Sequence, residues 1–198
     1  MNDRPRFTSI SLYNHAQGHL SFWYPTEWQV TESAAPHVTV TLLPDPTDPA
    51  TNMTIEVKNF PGPILLDDRP AIVEGVKAGL AQLAECVLER WRELGGEGRV
   101  ARGEQKTGDR RLETGDWKLE TGDWGLEWLC TFVDGGERRK RRARLFFTRR
   151  HLYSVICQGR TEAHYGYWQG MFEYVLLTVG VNQFSPLAWA AQQAWEEL

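Results

Sequence analysis

Apolar and polar positions alternate with a period of two through much of the first sixty residues, the spacing expected of half-buried strands. Thr8 to Tyr13 and His19 to Tyr24 read as two strands, the second ended by Pro25. His37 to Leu43 and Met53 to Lys58 read as a further pair, with the proline-rich stretch Pro44 to Pro49 as the loop between them. The period then changes. From Pro70 to about Leu94, Ile72, Val73, Val76, Leu80, Leu83, Val87, Leu88 and Trp91 fit helical spacing, with Asp67 or Asp68 as cap and Gly95-Gly96 as stop. Strands are expected again at Leu126 to Val133 and Arg142 to Thr148, joined across Asp134 to Glu137, and at Leu152 to Gln158. A helix from Thr161 or Glu162 to Leu177 would bury Tyr165, Trp168, Phe172, Val175 and Leu176. A last helix, 185–198, starts at Ser185-Pro186 and carries the stripe Leu187, Ala190, Ala191, Ala194, Trp195 and Leu198. Strands that pair locally, interleaved with helices, predict an α+β fold: an antiparallel β-sheet flanked by α-helices in one domain spanning 1–198.

Between the mid-chain helix and the later strands lies a repeat. Thr-Gly-Asp triplets begin at Thr107, Thr114 and Thr121, and Leu-Glu pairs recur at Leu112, Leu119 and Leu126. A Gly-Asp pair in every copy disfavours a helix, and an odd period cannot keep the leucines on one face of a continuous strand, so turns must intervene. Two-residue turns at Gly115-Asp116 and Gly122-Asp123 give a β-meander insertion over 107–128. Leu119 would then lie opposite Leu126, Trp117 opposite Trp128, and Lys118 opposite Glu127. One face would carry Leu112, Trp117, Leu119, Trp124, Leu126 and Trp128 and would need a surface to cover it. The other reading is a slippage insertion that lengthens one loop.

The segment from Gly18 to Trp28, a short strand running into Tyr24-Pro25 and then Trp28, resembles the opening of PsbP-like domains. The order of elements from Thr8 to Val181 is similar to that superfamily, which includes the extrinsic photosystem II protein, a Ran-binding nuclear import factor and the bacterial DcrB-like proteins. The repeat, the basic hairpin and the segment after Phe184 depart from it. The resemblance implies a PsbP-like fold and binding or assembly work without catalysis.

Composition narrows the classes. Net charge is −4 over 198 residues, which disfavours a general nucleic-acid or acidic-membrane binder. Nine tryptophans point to contact surfaces as well as core. Three cysteines, Cys86, Cys130 and Cys157, sit apart in apolar runs, as reduced buried thiols do, and no segment is apolar enough to span a membrane. With no apolar run behind the charged start, a cytoplasmic protein is expected.

Arg138, Arg139, Arg141, Arg142 and Arg144 crowd one hairpin. Such charges either blunt an exposed edge or meet an anionic partner, and strand alternation would divide them between two faces. The candidate partner surface combines Trp117, Trp124 and Trp128 with Arg138, Arg139, Arg141 and Arg142; the partner would be a protein or a second copy, with Leu187, Trp195 and Leu198 as the candidate oligomer interface. Alternatives are a small-molecule or catalytic pocket between sheet and helix, and a nucleic-acid contact through the arginines. His15 and His19 have a metal-ligand spacing but a turn-like context. Cys157 beside His151 lacks an orienting third group, and Ser154 lacks a nucleophile elbow. No catalytic residue, metal ligand or cofactor is assigned.

Overall fold

The computed structural model describes residues 5–15, 20–34, 37–95, 124–148 and 150–180. Two strands, β1 (Ile10–Asn14) and β2 (Ser21–Pro25), form a separate antiparallel hairpin in which Tyr13 stacks on Phe22 at 4.7 Å between ring centroids. A seven-stranded antiparallel sheet follows. It comprises β3 (Gln29–Ser33), β4 (Val38–Leu43), β5 (Asn52–Asn59), β6 (Val87–Gly95), β7 (Trp124–Asp134), β8 (Glu137–Phe147) and β9 (His151–Gly159), in the order β3-β4-β5-β9-β8-β7-β6. Helix α1 (Arg69–Ala81) and helix α2 (Glu162–Thr178) pack on it. The expected α+β class and antiparallel sheet are therefore present.

Alternation along the central strands feeds two cores, one on each face. Met53, Ile55, Tyr153, Val155 and Cys157 face α2 and meet Tyr165, Phe172, Val175 and Leu176. Trp124, Leu126, Trp128, Cys130, Ala143, Leu145 and Phe147 form the other core, with Val73 of α1. The β7–β8 turn works because Gly135 and Gly136 both hold positive φ, 61° and 81°, as a two-residue hairpin with the right twist requires.

Two expectations are corrected. The mid-chain helix ends at Ala81, and 87–95 is the edge strand β6, paired with β7 from Val87↔Thr131 to Gly95↔Trp124. Val87 and Leu88 are 49% and 44% exposed, so they do not form the buried stripe that helical spacing suggested. The unpaired edge of β7 offers a row of backbone partners that outweighs the helical pattern of a few apolar residues. The second concerns the strand partners expected for Leu126 and Trp128; residues 107–123 of the expected meander lie outside the described residues. Leu126 lies between Glu93 and Leu145, and Trp128 between Trp91 and Ala143. Both edges of β7 are occupied, leaving no place for the Leu119–Leu126 or Trp117–Trp128 pairings. The rest of the repeat and the segment 185–198 lie outside the described residues. Strand β3 was not anticipated.

Candidate functional site

Where β7 and β8 face α2, alternation places charges in the interior. Glu127 and Arg144 are direct cross-strand partners, and Arg142 is one step along the same face. Glu127 is 1% exposed, Arg142 9% and Arg144 6%. One carboxylate oxygen, Oε2, accepts from Arg144 Nε at 2.8 Å, from Arg144 Nη2, and from Arg142 Nη2 at 3.2 Å. Arg142 turns its other nitrogen, Nη1, to Glu173 Oε1 on α2 at 3.3 Å, and Gln169 Nε2 donates to that same oxygen at 3.0 Å. Two guanidinium groups thus meet two carboxylates.

Burial alone would push the Glu127 carboxyl up, but the attraction of Arg144 and Arg142 and their hydrogen bonds outweigh it and hold the group below the ordinary value of 4.5. It stays ionised. Beside the cluster, burial raises the Tyr165 phenol and pushes the Cys157 thiol up to about 12, so both stay protonated near neutrality. Neither has the depressed pKa of an activated nucleophile.

On its outward side α2 carries a shallow cleft of about 400 Å³ lined by Pro5, Gly166, Tyr167, Gln169, Gly170, Met171 and Glu173. A Cβ added at Gly166 or Gly170 would meet nothing within 4 Å, so the two glycines leave the helix surface low beside Tyr167 and Met171. Glu173 belongs to both regions, forming part of the cleft wall and reaching through Arg142 to the buried Glu127.

The residues assigned from sequence fall in several places. Trp124 and Trp128 are 1% and 8% exposed beneath α1, so neither indole is available to a partner in this conformation. Trp117, Leu187, Trp195 and Leu198 lie outside the described residues. The arginines divide by face, as alternation requires. Arg138 pairs with Glu162 at 3.4 Å and Arg139 with Asp134 at 3.1 Å, both near the hairpin tip. Arg141 donates to Gln158 Oε1 at 2.9 and 2.6 Å and lies 4.5 Å over the Phe132 ring. Arg142 is in the buried cluster, and the exposed Arg160 holds Glu137 through two bonds of 2.9 Å. His15 faces Glu32 at 3.6 Å. Among the described residues no group of three or more His, Cys, Asp or Glu side chains is placed to hold a metal, and no helix is long and apolar enough to cross a membrane.

Glu127 was expected opposite Lys118 on a charged surface, whereas it is buried between Arg92 and Arg144 in register. A signal for this exists in the sequence: counting outward from the Gly135-Gly136 turn pairs 127 with 144.

The chain is similar in structure to cyanobacterial PsbP (CyanoP) from Synechocystis sp. PCC 6803, with a TM-score of 0.53 and 14% sequence identity over 89% of this chain and 95% of that one. A Pseudomonas aeruginosa protein of unknown function, PA94, described as a putative regulator, gives a TM-score of 0.47 at 11% identity over 90% of this chain and 100% of that one. LpqN, involved in cell envelope biogenesis of Mycobacterium tuberculosis, gives 0.47 at 13% identity over 86% and 89%. No family model and no curated protein sequence matches the chain. The likeness to CyanoP is one of fold, and the fold is PsbP-like.

Proposed function

We propose that this PsbP-like chain is a non-catalytic protein-binding or assembly module that works through the outer face of α2. The observation that carries the reading is the mutual pairing of the charges beneath that helix. Glu127, Arg142, Arg144 and Glu173 offset one another's charge and tie α2 to the sheet, while Glu127 Oε1 and Arg142 Nε are buried without a hydrogen-bond partner among the described residues. Outside, the same helix presents Tyr167, 46% exposed, beside two glycines and Met171. An aromatic anchor beside a low apolar surface on a rigid element suits protein contact. The partner class is a protein surface or a second copy of the chain.

The test is site-specific photo-crosslinking of the full chain in its native cell, with the crosslinker at position 167 or, as a control, at position 41 on the opposite sheet face. A discrete adduct at 167, absent at 41 and lost in Gly170→Glu, is the expected result. Adducts at both positions, or at neither, would overturn the reading. Gly170→Glu should leave the thermal midpoint essentially unchanged, because the position is exposed and a Cβ there meets nothing within 4 Å.

A further inference from the structure

The core under α1 contains two thiols that meet. Cys130, in the middle of β7, is fully buried; Cys86, immediately before β6, is only partly buried and packs against the same core. Their side chains are within hydrogen-bonding reach of each other, and the Arg141 guanidinium lies close enough to Cys130 to favour its thiolate. In register Leu88 and Arg141 flank Cys130, so Cys86 approaches it diagonally from just outside the strand. The chain reaches that position through Glu85, whose φ is +49°, after Ala84 has accepted a hydrogen bond from Val133 N at 2.8 Å. β6 is an edge strand, and this turn leads into it. Diagonal neighbours across a strand pair lie about 7–8 Å apart and a disulfide needs its two Cα atoms about 4.4–6.8 Å apart, so closure draws residue 86 inward, at a turn whose strand is paired on one side only among the described residues.

We propose that Cys86 and Cys130 are an oxidisable dithiol, a modification site at which a low-molecular-weight disulfide converts the pair into an intrachain disulfide tying the entry of β6 to the centre of β7. The Cys86 thiolate attacks one sulfur of the external disulfide, whose S–S bond breaks and whose first thiol departs with a proton. The Cys130 thiolate then attacks the Cys86 sulfur of the mixed disulfide, and the second external thiol leaves with the other proton. Two electrons pass from the cysteine pair to the external disulfide, which is reduced to two thiols. Order follows access: Cys86 is the reachable thiol. Burial pushes Cys130 up to about 12, so the closing step is slow near neutrality and accelerates in alkali. Cys157 is an internal control, since it is 2% exposed and belongs to the core on the α2 face.

The experiment treats the full folded chain with oxidised glutathione, then denatures it, alkylates free thiols and measures intact and peptide masses. The expected product has lost the mass of two hydrogen atoms, carries one alkyl group, on Cys157, and yields a peptide crosslink between Cys86 and Cys130. Cys157→Ser should still close the bridge, whereas Cys86→Ser should retain both remaining thiols. Three alkylated cysteines would overturn the proposal. So would a glutathione adduct that persists on Cys86 in alkali, or a bridge that includes Cys157. A thermal midpoint that rises on oxidation and falls back with dithiothreitol would show that the bridge fits the folded chain; a midpoint lowered by oxidation would contradict that fit.

Discussion

The two faces of the sheet are built from alternate residues of the same strands, yet they are stabilised differently. Beneath α2 an aromatic core surrounds a cluster of ionised groups, and the helix itself supplies Glu173 to complete the charge. α2 begins at Thr161, whose Oγ1 accepts from His164 N at 3.2 Å, and it buries Tyr165, Phe172, Val175 and Leu176. Beneath α1 the core is apolar, with Trp91 stacked on Trp128 at 6.1 Å and Trp124 on Phe147 at 4.1 Å. α1 buries only Val73, and the Asp68 carboxylate accepts from Leu65 N at 2.9 Å instead of capping the helix. One helix is therefore fixed by packing, a cap and a buried charge cluster, and the other by packing and a partly exposed pair, Arg69 with Glu93 at 2.6 Å. A binding surface on the more firmly held helix gains in preorganisation.

That contrast can be broken most strongly at its charged centre. Glu127→Gln leaves two buried guanidinium groups short of a counter-charge and should cost about 3–5 kcal/mol in denaturant unfolding; a loss below about 1 kcal/mol would mean the cluster is hydrated in solution. The helices can be compared directly. Phe172→Ala on α2 should cost about 3–5 kcal/mol, and Val73→Ala on α1 at most about 1.5–3 kcal/mol. Equal losses would remove the asymmetry. Titration affects the same carboxylate more gently than removing it. Because the folded pKa of Glu127 is depressed, its contribution is complete above about 4.5 and disappears as pH falls through the lower folded value. Thermal midpoints measured through that acid range should therefore drop less steeply in Glu127→Gln than in the parent. The smallest effect belongs to the hairpin tip, where Arg138 and Glu162 are each about half exposed. Arg138→Ala should change unfolding free energy by about 0–1 kcal/mol.

Much of this arrangement was legible in the chain. Clean alternation at Val38–Leu43 and Asn52–Asn59 gave strands because each has one buried face, and α2 was legible because its four buried side chains recur with helical spacing. β6 was not. Val87, Leu88 and Trp91 satisfy a helical pattern, and only the presence of β7 as a hydrogen-bonding neighbour decides for strand. β3 was missed for a related reason: at the sheet edge, with Val30 alone partly buried, it carries almost no apolar signal. The division of the arginines followed from alternation. The role of Glu127 depends on the register set by the Gly135-Gly136 turn, which the competing register of the repeat obscures in the sequence. The cleft was illegible because it is made by what Gly166 and Gly170 lack.

The most direct test of the account is native mass spectrometry of the untagged full chain, purified without denaturation. The account predicts the mass of the bare polypeptide, as a monomer, as a homo-oligomer or bound to a protein partner, with no retained small molecule. A stoichiometric small molecule that survives desalting would contradict it.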